Sequence, residues 1–196
     1  MKLEISRCGV NSLPGIGALV NRVFVESKGR GRKMQHSLPN LCTPDATDNV
    51  YIAVLNGALL GTTTVRKFCW NVDGTRFTGA MVGLVCTDEN ARGLGVASQI
   101  MNAITGDLER DGTDFGVLWT KIHGFYQRLG WSLSDVGGFG RLCLDGTKAG
   151  LVRPVPCSAS YFDALEAIRH RFAGKSVERR PVDYAVIPPY VDSVDV

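Results

Sequence analysis

The chain has 196 residues, of which 44% are hydrophobic and 21% are charged. This balance fits one globular domain with a sizeable core and argues against a disordered chain. A formal net charge of +3 is too small to indicate nucleic-acid binding. Neither a signal peptide nor an apolar run of membrane-spanning length is readable, so we expect a cytoplasmic protein that binds neither nucleic acid nor a membrane.

The first part of the chain predicts an edge strand followed by an amphipathic helix. Polar and apolar residues alternate over residues 2–7, which favours a strand. Asn11 or Ser12 can cap a helix that has Pro14 in its first turn. The apolar face of that helix comprises Ile16, Leu19, Val20, Val23 and Phe24.

Three strands separated by tight turns come next and predict an antiparallel meander. They occupy residues 51–55, 59–70 and 76–86. Asn56 and Gly57, between the first two strands, favour a type I′ turn because both central residues of that turn take a positive φ. A second turn is predicted at residues 71–74.

The remaining segments predict helices and short strands, which together with the meander give a mixed α/β domain. Apolar residues recur along residues 96–110 with helical spacing, and a strand at 115–120 precedes helical turns at 122–129. Residues 131–133 and 141–144 are predicted to be extended. A late helix has the apolar residues Tyr161, Leu165, Ile168 and Phe172, and the tail from Lys175 is expected to run over the surface. We therefore assign residues 1–157 to the domain and 158–196 to a C-terminal helix and tail packed on it.

The most informative segment is residues 85–98, where a strand runs through a glycine-rich turn into a helix. Gly93 and Gly95 permit positive φ and a close approach of the backbone to a ligand. The start of the following helix supplies unpaired N–H groups and a partial positive charge. Arg92 can add a charge-assisted contact. Together these features favour the binding of a phosphate or pyrophosphate.

Other readings of this segment fit less well. A P-loop would end in Gly-Lys-Ser/Thr, which is absent. A dinucleotide fingerprint needs glycine or alanine where Ser98 stands, and it needs parallel βαβ strands rather than hairpins. An ordinary glycine-rich turn before a helix is the plain structural alternative.

Arg92, Gly95 and Ala97 form a pattern that resembles the Q/R-x-x-G-x-G/A signature of the GNAT superfamily of N-acetyltransferases. The resemblance implies an α/β (α+β) fold, with a central, mostly antiparallel, splayed sheet and helices on both faces. It also implies that the turn binds the pyrophosphate of acetyl-CoA through its main chain and that the preceding strand pairs with the pantetheine amides. The implied cofactor-binding residues are Leu84, Val85, Cys86, Arg92, Gly93, Leu94, Gly95, Val96 and Ala97.

Residues 123–131 carry a second motif, which resembles the FYxxxGF segment of the same superfamily with Trp131 in place of the last Phe. The resemblance implies that Tyr126 lies near the thioester sulfur, whereas the neighbouring aromatic residues read as core. A phenol, with a pKa near 10, is a weaker acid than a thiol near 8.5, so proton transfer to the departing thiolate is uphill by about 2 kcal/mol. Tyr126 could therefore protonate the sulfur or only hydrogen-bond to it as charge develops.

A general base is harder to assign. Enzymes of this superfamily often have a Glu on the central strand before the turn, but residues 78–86 contain no carboxylate. Asp88 and Glu89 fit the role of turn charges. His123 is the candidate base because it lies near Tyr126 in sequence and because an imidazole accepts a proton near neutral pH. The alternatives are a water relay and an acceptor amine with a low pKa.

We therefore predict an acetyl-CoA-dependent N-acetyltransferase that acylates a small-molecule amine directly. The alternatives are a protein or peptide acceptor, a longer acyl donor, or a CoA-binding module without catalysis. We expect acetyl-CoA as co-substrate and no metal, and leave homodimer formation open.

Basic residues at 28–33 could attract an anionic acceptor or the 3′-phosphate of the cofactor. The six cysteines form no CxxC pair, so we expect them to be reduced.

Overall fold

The computed structural model describes residues 3–29, 33, 47, 49–133, 167 and 175–177. Its strands are β1 (Glu4–Arg7), β2 (Val50–Leu55), β3 (Ala58–Val72), β4 (Thr75–Thr87), β5 (Phe115–Val117) and β6 (Lys175–Val177). Its helices are α1 (Leu13–Phe24), α2 (Val96–Arg110) and α3 (His123–Gln127). The predicted elements up to residue 129 are therefore present, with bounds that shift by a few residues at their ends.

The strands form one mixed sheet that is mostly antiparallel. β1 to β5 are neighbours in chain order, and β6 pairs with β3. The β1–β2, β2–β3 and β3–β4 pairs are antiparallel, whereas β5 runs parallel to β4. The parallel pair requires a crossover connection, which α2 provides. The predicted α/β class with a mostly antiparallel sheet is confirmed.

The two hairpin turns differ in how well the sequence predicts them. Asn56 and Gly57 have φ values of 51° and 78°, as a type I′ turn requires. The second turn is shorter than predicted, because β3 continues to Val72 and only Asp73 and Gly74, with φ values of 49° and 82°, reverse the chain. Two residues with positive φ match the twist of the flanking strands, so pairing extends to the turn itself.

Helices pack on both faces of the sheet and produce two cores. The core on the α2 face contains Val96, Ile100, Met101, Ile104 and Leu108 of the helix, packed on Tyr51, Ala53, Val65, Ala80 and Val82. The core on the α1 face contains Leu13, Ile16, Leu19 and Val20 of the helix, packed on Val50, Ile52 and Cys86. Strand β2 contributes alternate residues to the two cores, as the two-residue period of a strand dictates. The central strands are thus fixed from both sides.

A polar cluster closes the α2 core at the C-terminal end of that helix. The Tyr51 hydroxyl donates a hydrogen bond of 2.6 Å to Asp107 Oδ2, and the Arg7 guanidinium lies 3.4 Å from the same oxygen. Arg110 pairs with the other oxygen of Asp107. The hydrogen bond from Tyr51 is the largest cause that lowers the pKa of Asp107. Burial, followed by that same hydrogen bond, raises the pKa of Tyr51 to about 12.

Tyr51→Phe is expected to lower the free energy of unfolding at neutral pH by about 1–2 kcal/mol, because a hydrogen bond to a charged partner is lost. Asp107 has a lowered pKa in the folded protein. Its contribution is therefore complete above the unfolded-state value, near 4, and is lost as the pH falls through the lower folded-state value. Denaturant unfolding at several pH values should show the difference between wild type and Tyr51→Phe shrinking in acid. A difference that is independent of pH would contradict this account.

The C-terminal part is described only in fragments. The predicted extended segment at 141–144 lies outside the described residues, as does the late helix around 161–172 apart from Ala167. Residues 131–133, predicted to be extended, are not assigned to a strand, so their extended conformation stays a prediction. The tail was predicted to run over the surface from Lys175, but Lys175–Val177 pair with Trp70–Val72 of β3 instead. The division at residue 157 stays a prediction.

The described cysteines, Cys8, Cys69 and Cys86, form no disulfide bond. No helix within the described part of the chain is both long and apolar enough to cross a membrane.

Candidate functional site

The site lies where β4 and β5 diverge. β5 pairs with β4 only through Phe115 to Val117, which lie opposite Gly79 to Met81. β4 continues for six more residues to Thr87, and no other described strand pairs with that edge of it. Along residues 82–87 this edge of β4 therefore has no neighbouring strand in the described part of the chain. We call the region where β4 continues beyond its pairing with β5 the gap between the two strands. A ligand with amide groups can pair with such an edge.

A β-bulge shapes β4 at this point. Thr62 pairs with Cys86 and Thr64 with Gly83, so β4 has one residue more than β3 between the two pairs. Leu84 takes up this excess with a φ of 49°, a conformation that is unusual for leucine. Bulges bend a strand and redirect its side chains. The bulge therefore coincides with the region in which β4 leaves β5.

The three predicted residues of β4 anchor this edge in both cores. Val85 packs against the α2 core, and Leu84 packs against the α1 core. The Cys86 side chain belongs to the α1 core and is 3% exposed, and burial raises the pKa of its thiol to about 12. A neutral, buried thiol is a poor nucleophile, so Cys86 is available to a ligand through its backbone.

The glycine turn, defined here as residues 92–95, connects β4 to α2. A short 3-10 turn at Glu89–Ala91 precedes it. Gly93 and Gly95 have φ values of 82° and 74°, and a Cβ atom added to either would meet no atom of the described residues within 4 Å. Both glycines thus combine a left-handed backbone with open space in front of it. Leu94 between them is 62% exposed.

The N-terminus of α2 opens onto this space. Its first backbone hydrogen bond runs from the Gln99 N–H to the Gly95 carbonyl at 3.0 Å, so the N–H groups of Val96, Ala97 and Ser98 precede the helical ladder. No side chain caps the helix, and its first turn contains no acidic residue. No acidic side chain of its own first turn therefore offsets the partial positive charge of this 15-residue helix, which favours an anionic ligand.

Arg92, the first residue of the glycine turn, forms only a weak ion pair through its side chain. Its guanidinium is 3.4 Å from Glu89 Oε1, and both side chains are more than half exposed. Exposed pairs of this kind contribute little, up to about 1 kcal/mol. The guanidinium can consequently exchange Glu89 for a phosphate at small cost.

Tyr126 lies within α3 and is 8% exposed. Its ring packs edge to face against that of Phe125, with 4.9 Å between the ring centroids, and belongs to the α2 core. Burial raises the pKa of its hydroxyl, and no described residue forms a hydrogen bond with that group. The phenol is thus held by its ring, protonated at neutral pH, and free to donate to a ligand.

The residues after Tyr126 explain the aromatic motif. The N–H groups of Leu129 and Trp131 both donate to the Tyr126 carbonyl, at 2.9 and 3.1 Å, and Gly130 has a φ of 86°. The chain therefore folds back, and the indole of Trp131 lies on β5 at Gly116, where an added Cβ would come within 2.8 Å of the ring. Tryptophan at the last motif position thus requires glycine opposite it, and the contact fixes α3 against β5.

The other predicted catalytic residue is placed differently. His123 is exposed at the start of α3, and it forms no hydrogen bond or ion pair with any described residue. The structure therefore brings residues 84–86 and 92–97 together around one gap and turn, with Tyr126 buried in α3, and leaves His123 at the surface. Three or more potential metal ligands do not converge anywhere in the part of the chain described.

One feature of the site has no local sequence signal. Arg22 of α1 lies 2.6 Å from Asp88, the residue that starts the 3-10 turn. The two are 66 positions apart in sequence. From the sequence, Asp88 is interpreted as a turn residue. Its pairing with Arg22 of α1 can be recognised only from the three-dimensional structure.

The described residues combine a sheet whose strands β4 and β5 diverge, a glycine turn that leads into α2, and a buried tyrosine in α3. The family model described as acetyltransferase (GNAT) domain matches residues 4–134, and the chain belongs to this family. Domains of this family use acetyl-CoA as co-substrate, and membership implies an acyltransferase. The predicted fold family is thereby confirmed. No curated protein matches the sequence.

Solved structures share the fold at low sequence identity. A protein from Enterococcus faecalis V583, described as a probable N-acyltransferase, superposes with a TM-score of 0.54 at 18% identity, and the match covers 65% of this chain and 32% of that one. Glucosamine-6-phosphate N-acetyltransferase from Arabidopsis thaliana gives 0.56 at 12% identity, covering 73% and 100%. An aminoglycoside acetyltransferase from an uncultured soil metagenomic sample, in complex with sisomicin, gives 0.55 at 18%, covering 73% and 97%. The chain thus spans about a third of the first of these proteins.

Proposed function

We propose that the protein is an N-acetyltransferase that takes acetyl-CoA and transfers its acetyl group directly to the amine of a small molecule. The observation that carries this proposal is the open glycine turn at the N-terminus of α2. Its two left-handed glycines have open space in front of them within the described part of the chain, and the amides of Val96 to Ser98 precede the hydrogen-bond ladder of the helix, which suits a pyrophosphate. Arg92 would add a second positive group once it leaves Glu89.

The rest of the donor fits beside the turn. The unpaired edge of β4 at residues 82–87 offers backbone groups to the two amides of pantetheine. The cofactor-binding residues of this proposal are therefore the backbone of residues 84–86 and the glycine turn with the first turn of α2. The thioester would then lie in the gap between β4 and β5.

The chemistry requires an attack, a leaving group and two proton movements. The amine nitrogen attacks the thioester carbonyl, the new C–N bond forms, and the C–S bond breaks to release the CoA thiolate. Tyr126 would donate a hydrogen bond or a proton to that sulfur. The proton lost by the amine would go to His123 or to water, because β4 carries no carboxylate between Thr75 and Thr87.

The acceptor is proposed as a small amine. Two of the similar structures bear the names of enzymes for amino sugars, glucosamine-6-phosphate and aminoglycosides. The exposed basic residues Lys28 and Lys33 could attract an anionic group on the acceptor or the 3′-phosphate of the cofactor.

The test combines binding with turnover. A ligand that prefers the folded protein raises its melting temperature, so acetyl-CoA and CoA should stabilise the protein, whereas nicotinamide dinucleotides should not. Thiol release with a panel of amino sugars, other small amines and peptides, followed by product mass spectrometry, identifies the acceptor. Failure of acetyl-CoA to bind would refute the proposal. Binding without turnover across the panel would instead support a CoA-binding module, the alternative that the missing carboxylate on β4 favours.

A further inference from the structure

The ion pair between Arg22 and Asp88 connects α1 to the segment that leads into the glycine turn. Arg22 Nη2 lies 2.6 Å from Asp88 Oδ2, a short, charge-assisted contact. The Asp88 side chain is 18% exposed, whereas that of Arg22 is 52% exposed. The carboxylate is thus partly buried at the end of β4, whereas the guanidinium is largely exposed.

Asp88 divides its two oxygens between different partners. While Oδ2 faces Arg22, Oδ1 accepts from the backbone N–H of Asn90 at 3.0 Å and from the Asn90 side-chain amide at 3.3 Å. The backbone N–H of Asp88 donates to the Leu60 carbonyl of β3 at 2.8 Å. One residue therefore joins α1, β3 and the 3-10 turn that immediately precedes Arg92.

The remaining contacts of the glycine turn with the protein are few. Among the described residues, nothing lies within 4 Å of a Cβ atom built on Gly93 or Gly95. Arg92 contacts Glu89 through the exposed side-chain pair and through a backbone hydrogen bond of 3.3 Å from its N–H to the Glu89 carbonyl, which leads back to the 3-10 turn. The backbone bond from the Leu94 N–H to the Ala91 carbonyl, at 3.3 Å, leads back to the same 3-10 turn. The position of the turn amides therefore depends on the segment that Asp88 holds.

We infer that Arg22 and Asp88 are positioning residues, whose ion pair fixes the glycine turn against α1 and thereby sets the affinity for the diphosphate of CoA. This inference rests on the proposed function. Neither side chain would contact the acyl group or the reacting atoms. Loss of the pair should consequently weaken cofactor binding without changing the chemical step.

Two single substitutions separate the effect of the ion pair from that of the cap, which is the hydrogen bond from the Asn90 N–H to the Asp88 side chain at the start of the 3-10 turn. Asp88→Asn removes the charge but keeps an oxygen that can accept from the Asn90 N–H, because Asn is also a good cap residue. Arg22→Gln removes the charge from the α1 side and leaves the cap intact. Each is expected to raise the CoA dissociation constant about three- to fivefold, the range for a largely exposed pair. The double variant should be no weaker than the single variants, because the interaction is already lost in each of them.

Further readouts distinguish positioning from general destabilisation. The kcat at saturating acetyl-CoA should stay within about twofold of wild type while KM for acetyl-CoA rises. Asp111→Asn is the matched control, because it breaks the 2.5 Å Lys67–Asp111 pair at the other end of α2, and its CoA affinity should equal that of wild type. Additive losses in the double variant, wild-type affinity in both singles, or an equal loss in Asp111→Asn would overturn the inference.

Amide hydrogen exchange gives a test that does not depend on CoA. Exchange at residues 89–96 should be faster in Asp88→Asn and Arg22→Gln than in wild type and in Asp111→Asn. If wild type fails to bind CoA but this exchange difference appears, the proposed function falls while the fixing of the turn by the ion pair stands. If exchange at these residues is unchanged in both variants, the ion pair does not position the turn.

Discussion

A Gly95→Trp variant is expected to bind CoA at least about a hundredfold more weakly than wild type, measured by titration calorimetry. Gly95 precedes the first residue of α2, and within the described ranges of the chain a Cβ atom placed on it meets no atom closer than 4 Å. The indole would therefore extend into free space rather than into the core. In that position it would cover the amides of Val96 to Ser98 and exclude a pyrophosphate from them.

The variant should remain folded, although it carries backbone strain. Gly95 has a φ of 74°, so any L side chain there costs about 1–2 kcal/mol. Gly112→Trp is the matched control, because Gly112 has a φ of 66°, has equally open surroundings and follows the opposite end of α2. The two variants should lose similar stability, and only Gly95→Trp should lose CoA affinity. Equal affinity in both would place the diphosphate elsewhere.

Local features of this fold could be predicted well because their causes are local. Helix α2 has the predicted bounds of 96–110, since its apolar residues recur with helical spacing and glycines with positive φ, Gly95 and Gly112, flank it. The Asn56-Gly57 turn is equally local, because both residues tolerate positive φ. The glycine turn of the candidate site is likewise determined by local sequence, so the positive φ values of Gly93 and Gly95 could be predicted from residues 92–95 alone.

Features that depend on strand pairing could not be predicted in this way. The bulge in β4 places positive φ on Leu84 rather than on the neighbouring Gly83, and no residue type signals it. The short strand Lys175–Val177 joins β3 although its sequence suggested an irregular tail. Both results follow from register and edge pairing between distant segments. The gap between β4 and β5 was expected only through the family resemblance.

The interaction partners of side chains in the candidate site could not be predicted either, because they also depend on contacts between segments that are distant in sequence. The sequence identified Tyr126 through a motif but could not show that its hydroxyl lacks a protein partner. It offered His123 as a base on the grounds of proximity in sequence, whereas the structure leaves that residue exposed at the start of α3. Asp88 was interpreted as a turn charge, and its pairing with Arg22 depends on how α1 packs across β4.

Tyr126→Phe is expected to lower kcat by about a hundredfold, the lower end of the range for losing one hydrogen-bond donor to a developing negative charge, while the CoA dissociation constant stays at the wild-type value. The ring contacts with Phe125 and the α2 core remain, and the hydroxyl has no hydrogen-bond partner among the described residues, so stability should change little. Tyr51→Phe provides the matched control, because it removes a phenol at the other end of α2 and should spare turnover. Unchanged kcat in Tyr126→Phe would remove this residue from the mechanism.

The pH dependence follows from the direction of the pKa shift. Burial raises the pKa of Tyr126, so the protonated phenol persists above the usual value near 10, and an alkaline loss of kcat below that pH must come from another group. The same shift makes complete proton transfer to a thiolate, whose conjugate acid has a pKa near 8.5, costlier than for an ordinary tyrosine. The buried phenol is therefore better suited to stabilising the departing sulfur through a hydrogen bond than to giving up its proton. A small solvent isotope effect on kcat is the expected signature, and a large one would indicate full transfer.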